Sequence, residues 1–196
     1  MISHVDSVDT SKWCAILPIK GGVLAKSRLG PSDEVAELAN EFAARTLSAL
    51  LACNEVDRVI IVTSDHTWNS LLSDRVTTVA DPGTGLNAAI CAVRDLEIET
   101  RLLFVVPGDL PLLNPAELSG VLTNARMHPR GFVRDKNGDG TTILTALKAT
   151  DLLPLYGEGS AEAHRMSGAS ELEAGISVRF DVDTLSDLEY IIKASQ

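Results

Sequence analysis

The chain has 196 residues, 45% of them hydrophobic and 22% charged, a globular composition long enough to bury one core of ordinary size. Its 27 acidic against 17 basic residues leave a net charge of −10, which disfavours nucleic-acid binding, because phosphate contacts need a basic face. A protein this acidic that handles anionic small molecules needs local cations, from placed lysines or a bound metal.

Residues 1–12 read as a polar, loosely held tail, and residues 13–196 as one domain. The start lacks a basic-then-apolar signal pattern and no apolar run reaches ~18 residues, so neither export nor a membrane span is expected. Cys14, Cys53 and Cys91 sit in apolar runs and read as buried thiols of a cytoplasmic protein.

From Trp13 onward apolar runs alternate with amphipathic stretches. Strands are predicted over Cys14–Ile19, Arg58–Thr63, Val76–Val79, Leu102–Val106, Phe132–Arg134, Thr142–Ala146 and Ile176–Phe180. Helices are predicted over Ser32–Leu51, Thr67–Ser73, Leu86–Leu96, Pro115–His128, Ala161–Leu172 and Leu185–Ala194. In the first of these Val35, Leu38, Phe42, Leu47 and Leu50 recur near one side. The strands around Ile60 and Val105 are apolar throughout, as when helices cover both sheet faces. This alternation predicts a three-layer α/β fold on a mostly parallel sheet, with ligands beyond the carboxyl ends of the strands.

Five segments after strands carry unusual chemistry. Lys20-Gly21-Gly22 with Lys26 and Arg28 combines flexible backbone and positive charge, as a triphosphate-binding loop would. It is not a Walker A loop, since Lys20 and Ala25 stand at the two glycine positions. Asp81-Pro82-Gly83-Thr84-Gly85 turns into a helix whose first turn holds Asn87, where free N–H groups favour a phosphate or a polar nucleotide edge. Asp109, in Pro107-Gly108-Asp109-Leu110-Pro111, is a hard oxygen ligand just past a buried strand and suits Mg²⁺ beside nucleotide phosphates; capping the next helix is its other reading. Asp181 and Asp183 alternate along an extended segment and can face the same way, with Asp183 or Thr184 also able to cap the final helix. Finally, Asn137-Gly138-Asp139-Gly140-Thr141-Thr142 reads as a hairpin turn. Together with Gly157, Ser160 and the following His164-Arg165 it can also hold a small phosphate or carboxylate. His164 is open to two readings, a base or phosphate donor and a hydrogen-bonded structural residue, with the second favoured.

In this order the motifs resemble the CofC/FbiD family, the guanylyltransferases of deazaflavin coenzyme F-420 biosynthesis. The match carries Leu17-Pro18-Ile19-Lys20 with Ala25-Lys26-Ser27-Arg28-Leu29, Asp81-Pro82 with Gly85-Leu86-Asn87, Gly108-Asp109-Leu110-Pro111, Gly140-Thr141-Thr142, His164-Arg165 with Ser167-Gly168-Ala169, and Asp181-Val182-Asp183-Thr184. The resemblance implies a nucleotide-diphospho-sugar transferase-like fold and GMP transfer from GTP to phosphoenolpyruvate, with 2-phospho-L-lactate or another phosphorylated three-carbon acid as the alternative acceptor. It implies GTP contacts from Lys20, Lys26, Arg28, Gly85 and Asn87, and catalytic roles for Lys26 and Asp109. Mg²⁺ falls to Asp109 and Asp181, phosphoenolpyruvate to Thr141, Gly157 and Ser160, and the product to a downstream transferase of the pathway. Competing readings are another nucleotidyltransferase, acting on molybdopterin or a sugar phosphate, a non-catalytic nucleotide-sensing module, and a phosphosugar-binding protein.

Overall fold

The structure is a computed structural model and describes residues 12–19, 33–97 and 102–194. Seven strands form one sheet: β1 (Trp13–Pro18), β2 (Val56–Thr63), β3 (Val76–Ala80), β4 (Leu102–Val105), β5 (Arg130–Arg134), β6 (Thr141–Ala146) and β7 (Ser170–Glu171). Their order is β3-β2-β1-β4-β6-β5-β7. Strands β1 to β4 pair in parallel, β5 and β7 pair in parallel, and β6 is antiparallel to both β4 and β5. The expected mostly parallel sheet is therefore present, with one reversed strand inside it.

Strand alternation explains the unbroken apolar runs. Trp13, Ala15 and Leu17 of β1 enter one core with Val59, Ile61, Phe104 and Val106. Cys14 and Ile16 enter the opposite core with Ile60, Val62, Leu103 and Val105. Helices α1 (Asp33–Ala52) and α3 (Pro115–Ala125) cover the first face through Leu47, Leu50, Leu118 and Leu122. Helix α2 (Leu86–Leu96) and the short α4 (Ser160–Met166) cover the second through Ala89, Ile90, Val93 and Ala161. Both faces are buried, so period-two polarity is suppressed in the central strands.

Three predicted elements change. Thr67–Ser73 is a 3-10 helix over His66–Leu71, with Asp65 accepting from the Thr67 N–H at its start. The helix predicted over Ala161–Leu172 stops at Met166. Gly168 follows with φ +88°, its N–H donates to the Arg165 carbonyl, and the Ala169 N–H donates to that of His164, a pair of bonds that closes a helix C-terminus. The freed chain then supplies β7. Ile176–Phe180, predicted as a strand, contains instead the short α5 (Ile176–Arg179). Its apolar residues alternate as a strand's do, yet Ile176 is 59% exposed, while Val178 and Phe180 are buried. The edge position beside β5 is already taken by Ser170–Glu171. The final helix, α6 (Leu185–Ala194), begins as expected. Asp187 accepts from the N–H groups of Asp183 and Thr184, and the Thr184 hydroxyl accepts from the Asp187 N–H, a reciprocal cap.

Candidate active site

The chain runs from β1 outward to β2 and β3, then returns to place β4 on the other side of β1. A crevice opens at such a reversal, at the carboxyl ends of the strands. There the Val106 N–H donates to the Ile16 carbonyl at 3.0 Å and the Ile19 N–H to the Val62 carbonyl at 2.8 Å, so the carboxyl ends of β1, β2 and β4 lie side by side. Strand β5 ends at the same edge and the reversed β6 begins there, which adds the Asp135–Gly140 turn and Thr141.

Gly108 lies where the β4 exit crosses α1. A Cβ there would sit 3.1 Å from the Ala43 Cβ, so a side chain at this turn would need the helix to give way by a few tenths of an ångström. Asp109 follows at once. Its carbonyl accepts from the Val182 N–H at 3.1 Å, which brings the segment holding Asp181 alongside it. The charge of Asp109 acts on the Asp181 carboxyl and on the Tyr156 phenol. Burial, with added repulsion from Asp109 and Asp183, pushes Asp181 up to about 6 against the opposing bond from Lys136. Burial and the Asp109 charge raise the Tyr156 phenol well above its usual range, so it stays protonated.

Lys136 is the cation that sequence reasoning missed. From the β5–β6 turn its Nζ reaches the Asp181 Oδ1 at 2.9 Å, the Asp181 carbonyl at 2.6 Å and the Asp187 Oδ2 at 3.4 Å. Burial would lower its pKa, but the bond to Asp181 and the charges of Asp181, Asp187 and Asp183 outweigh that and raise it. The sequence held one signal, a lone lysine beside a glycine-rich turn in a protein short of cations.

Thr141, Ser160 and His164 converge too. The Ser160 hydroxyl donates to the Thr141 Oγ1 at 3.2 Å, and the Thr141 Oγ1 lies 2.9 Å from the His164 Nδ1. The Leu155 N–H donates to the His164 Nε2 at 2.9 Å. Thr141, Ser160 and His164 are all buried. Burial, then the charge of Arg130, lowers the His164 pKa to about 4, with a backbone bond at Ser160 working the other way, so the ring is neutral near pH 7. The favoured structural reading of His164 fits this setting better than that of a base. Gly157 carries φ +148°, a conformation that side chains rarely adopt, in the turn just before α4. The N–H groups of Ser160 and Ala161 donate to the carbonyls of Gly157 and Asp139, so the start of α4 is tied internally to both neighbouring segments.

Gly85 caps α2 with φ +107° and no side-chain bond. The Asn87 amide turns to Tyr156, donating to its carbonyl at 3.0 Å and accepting from its N–H at 2.9 Å. Asn87 therefore ties the α2 turn to the segment holding Gly157. Lys20, Lys26 and Arg28 lie outside the described residues. Among the described residues no cluster of three or more His, Cys, Asp or Glu side chains is suited to a metal.

The sequence profile of the MobA-like NTP transferase domain matches residues 27–171, more than half of the chain. The chain belongs to this family. As a MobA-like transferase it is a nucleotidyltransferase, and its curated relatives bear out the resemblance read from the motifs. It is 42% identical over 188 residues to a phosphoenolpyruvate guanylyltransferase of Streptomyces coelicolor, covering 90% of this chain and 88% of the relative. It is 36% identical to phosphoenolpyruvate guanylyltransferase 2 of Rhodococcus jostii, covering 92% and 85%. Among solved structures, a nucleotide-diphospho-sugar transferase-type chain from Desulfovibrio desulfuricans G20 superposes with a TM-score of 0.71 at 15% identity, covering 95% of this transferase and 88% of that chain. Rv0371c of Mycobacterium tuberculosis, solved with manganese, does so at 0.59 and 18% identity, covering 93% and 99%. These last two share the fold. No described helix of the transferase is long and apolar enough to cross a membrane.

Proposed function

We propose that this transferase moves GMP from GTP to phosphoenolpyruvate, giving enolpyruvoyl-2-diphospho-5'-guanosine and pyrophosphate, as a step of coenzyme F-420 biosynthesis. One observation supports the reading above the rest: relatives named for this activity align with about nine-tenths of the chain at 42% and 36% identity. The activated acid then passes to a downstream transferase. We further propose that residues 13–196 act as one unit, and that the setting is cytoplasmic, in keeping with Cys14, Cys53 and Cys91 as thiols outside any disulfide.

In this reading a phosphate oxygen of phosphoenolpyruvate attacks the α-phosphorus of GTP in line. The new P–O bond replaces the bond to the β-phosphate bridging oxygen, and pyrophosphate leaves with that electron pair. The attacking oxygen is already anionic near neutral pH, so no strong base is needed. Lys20, Lys26 and Arg28 bind the triphosphate, and Lys26 offsets charge gathering on the leaving group. Gly85 lets the α2 turn approach the nucleotide, and Asn87 retains one amide N–H for it. Thr141, Gly157 and Ser160 hold the acceptor.

Asp109 and Asp181 suit a divalent ion by their chemistry: two hard oxygen donors, one of them, Asp181, half-buried and raised first by burial and then by repulsion from Asp109 and Asp183. Two protein carboxylates leave coordination positions for water and substrate oxygens, as Mg²⁺ prefers. We assign Mg²⁺ to them; bound there, it neutralises phosphate charge and polarises the phosphoryl group. The manganese of Rv0371c supports a divalent metal on this fold.

Incubation with Mg-GTP and phosphoenolpyruvate or 2-phospho-L-lactate, followed by mass spectrometry, tests the proposal. A guanylylated enolpyruvate is expected. Product with 2-phospho-L-lactate alone would move the acceptor assignment, and turnover with CTP or a sugar phosphate alone would overturn the reading.

A further inference from the structure

The bonds that His164 makes fix more than the position of its ring. The Leu155 N–H points at the Nε2 from 2.9 Å. That nitrogen must therefore present a lone pair. A neutral imidazole carries one N–H, so the proton resides on Nδ1. The Nδ1 faces the Thr141 Oγ1 at 2.9 Å, and this contact then has one direction, from ring to hydroxyl oxygen.

The same oxygen also accepts the Ser160 hydroxyl at 3.2 Å. A hydroxyl oxygen has two lone pairs and one proton. With both lone pairs occupied from inside the protein, the Thr141 proton can satisfy neither of its partners. Its remaining partner is an acceptor. Phosphate and carboxylate oxygens are the strongest such partners, because a charged acceptor makes the stronger bond. An ammonium group, which has no lone pair, cannot take that place.

We infer that His164 is a positioning residue for the acceptor: through Nδ1–H it locks the Thr141 hydroxyl as an outward donor to an anionic oxygen of the phosphorylated acid. The inference rests on the reading that Thr141 holds the acceptor. The ring is kept in place on its other sides by aromatic neighbours, with Tyr156 edge-on at 5.3 Å between centroids and Phe132 at 6.1 Å. Asn87 in turn fixes the Tyr156 backbone next to Leu155.

The test combines kinetics with a tautomer measurement. Thr141→Val should raise the KM for phosphoenolpyruvate roughly ten-fold or more, the typical effect of losing a hydrogen bond to a charged group, while the KM for GTP stays within about two-fold. His164→Phe should do the same, and His164→Asn, whose amide can still donate near the Nδ1 position, should recover much of the loss. In the Thr141→Val background, His164→Phe should add no further change. An unchanged acceptor KM in Thr141→Val would sink the acceptor reading itself. A full additional loss in the double variant would sink the positioning role and leave that reading standing. Nitrogen-15 NMR of the wild-type ring needs no variant to fold: the Nδ1–H form is expected, and the Nε2–H form would overturn the inference.

Discussion

The side-chain amide of Asn87 makes two hydrogen bonds to the backbone of Tyr156, one at each of its polar atoms, across 69 residues of chain. This bridge joins the turn proposed for the nucleotide to the segment proposed for the acceptor. Asn87→Asp keeps the acceptor atom for the Tyr156 N–H but sets a carboxylate oxygen against the Tyr156 carbonyl. We expect the KM for phosphoenolpyruvate to rise roughly ten-fold. Steady-state kinetics with the acid varied checks it, and an effect on GTP alone would confine Asn87 to the nucleotide.

Asp109→Asn removes one negative oxygen and keeps the shape. Turnover should fall roughly 100-fold or more, the scale of losing one charged contact in the transition state. The thermal melt should stay within a few degrees, because the Asp109 backbone bond to Val182 is untouched. Near-normal turnover at limiting magnesium would remove Asp109 from the metal site.

Lys136→Met leaves Asp181 half-buried beside Asp183 and Asp187 without its ammonium. A carboxylate stripped of its partner in such a place is destabilising. The expected loss is roughly 2 kcal/mol, or a drop in Tm of about 4–8 °C for a domain of this size. Calorimetry measures it. An unchanged Tm would mean that solvent already screens the cluster.

The parts of the site differ in how plainly the sequence announced them. The position of Asp109 at the carboxyl edge of the sheet was legible, because the apolar run before it marks a buried strand that ends just ahead of it. Thr141, Gly157 and Ser160 were found as a group, and they do meet, through the Ser160–Thr141 bond and the turn before α4. Lys136 was not legible, because its partner Asp181 lies 45 residues away and only the sheet order brings them together. The Ile176–Phe180 strand failed for a related reason. Its alternation is local, whereas the place beside β5 was already occupied by Ser170–Glu171, a two-residue strand that no periodicity could reveal. The reversed strand β6 was equally hidden, although the hairpin turn before it was expected.

Stability should depend on pH through His164. Its pKa is lowered from 6.5 to about 4 by folding, so between those values the unfolded chain binds a proton that the native ring refuses. Stability from this group is complete above pH 6.5, declines as pH falls, and is lost by about pH 4. The total is on the order of 3 kcal/mol. Chemical denaturation at pH 7 and pH 5 measures the decline, and comparison with His164→Asn, which cannot titrate, isolates it. An equal decline in both proteins would assign it to other groups.

Strand β6 runs against β4 and β5, so Thr141 stands at its beginning, on the edge where the parallel strands end. A residue inside a hydrogen-bonded ladder has far less freedom than one in a connecting loop. Thr141, proposed to hold the small acid, thus stands on a stiff stretch of that edge. On that proposal, altering the choice of acceptor calls for changes in the ladder and its buried supports as well as in loop residues.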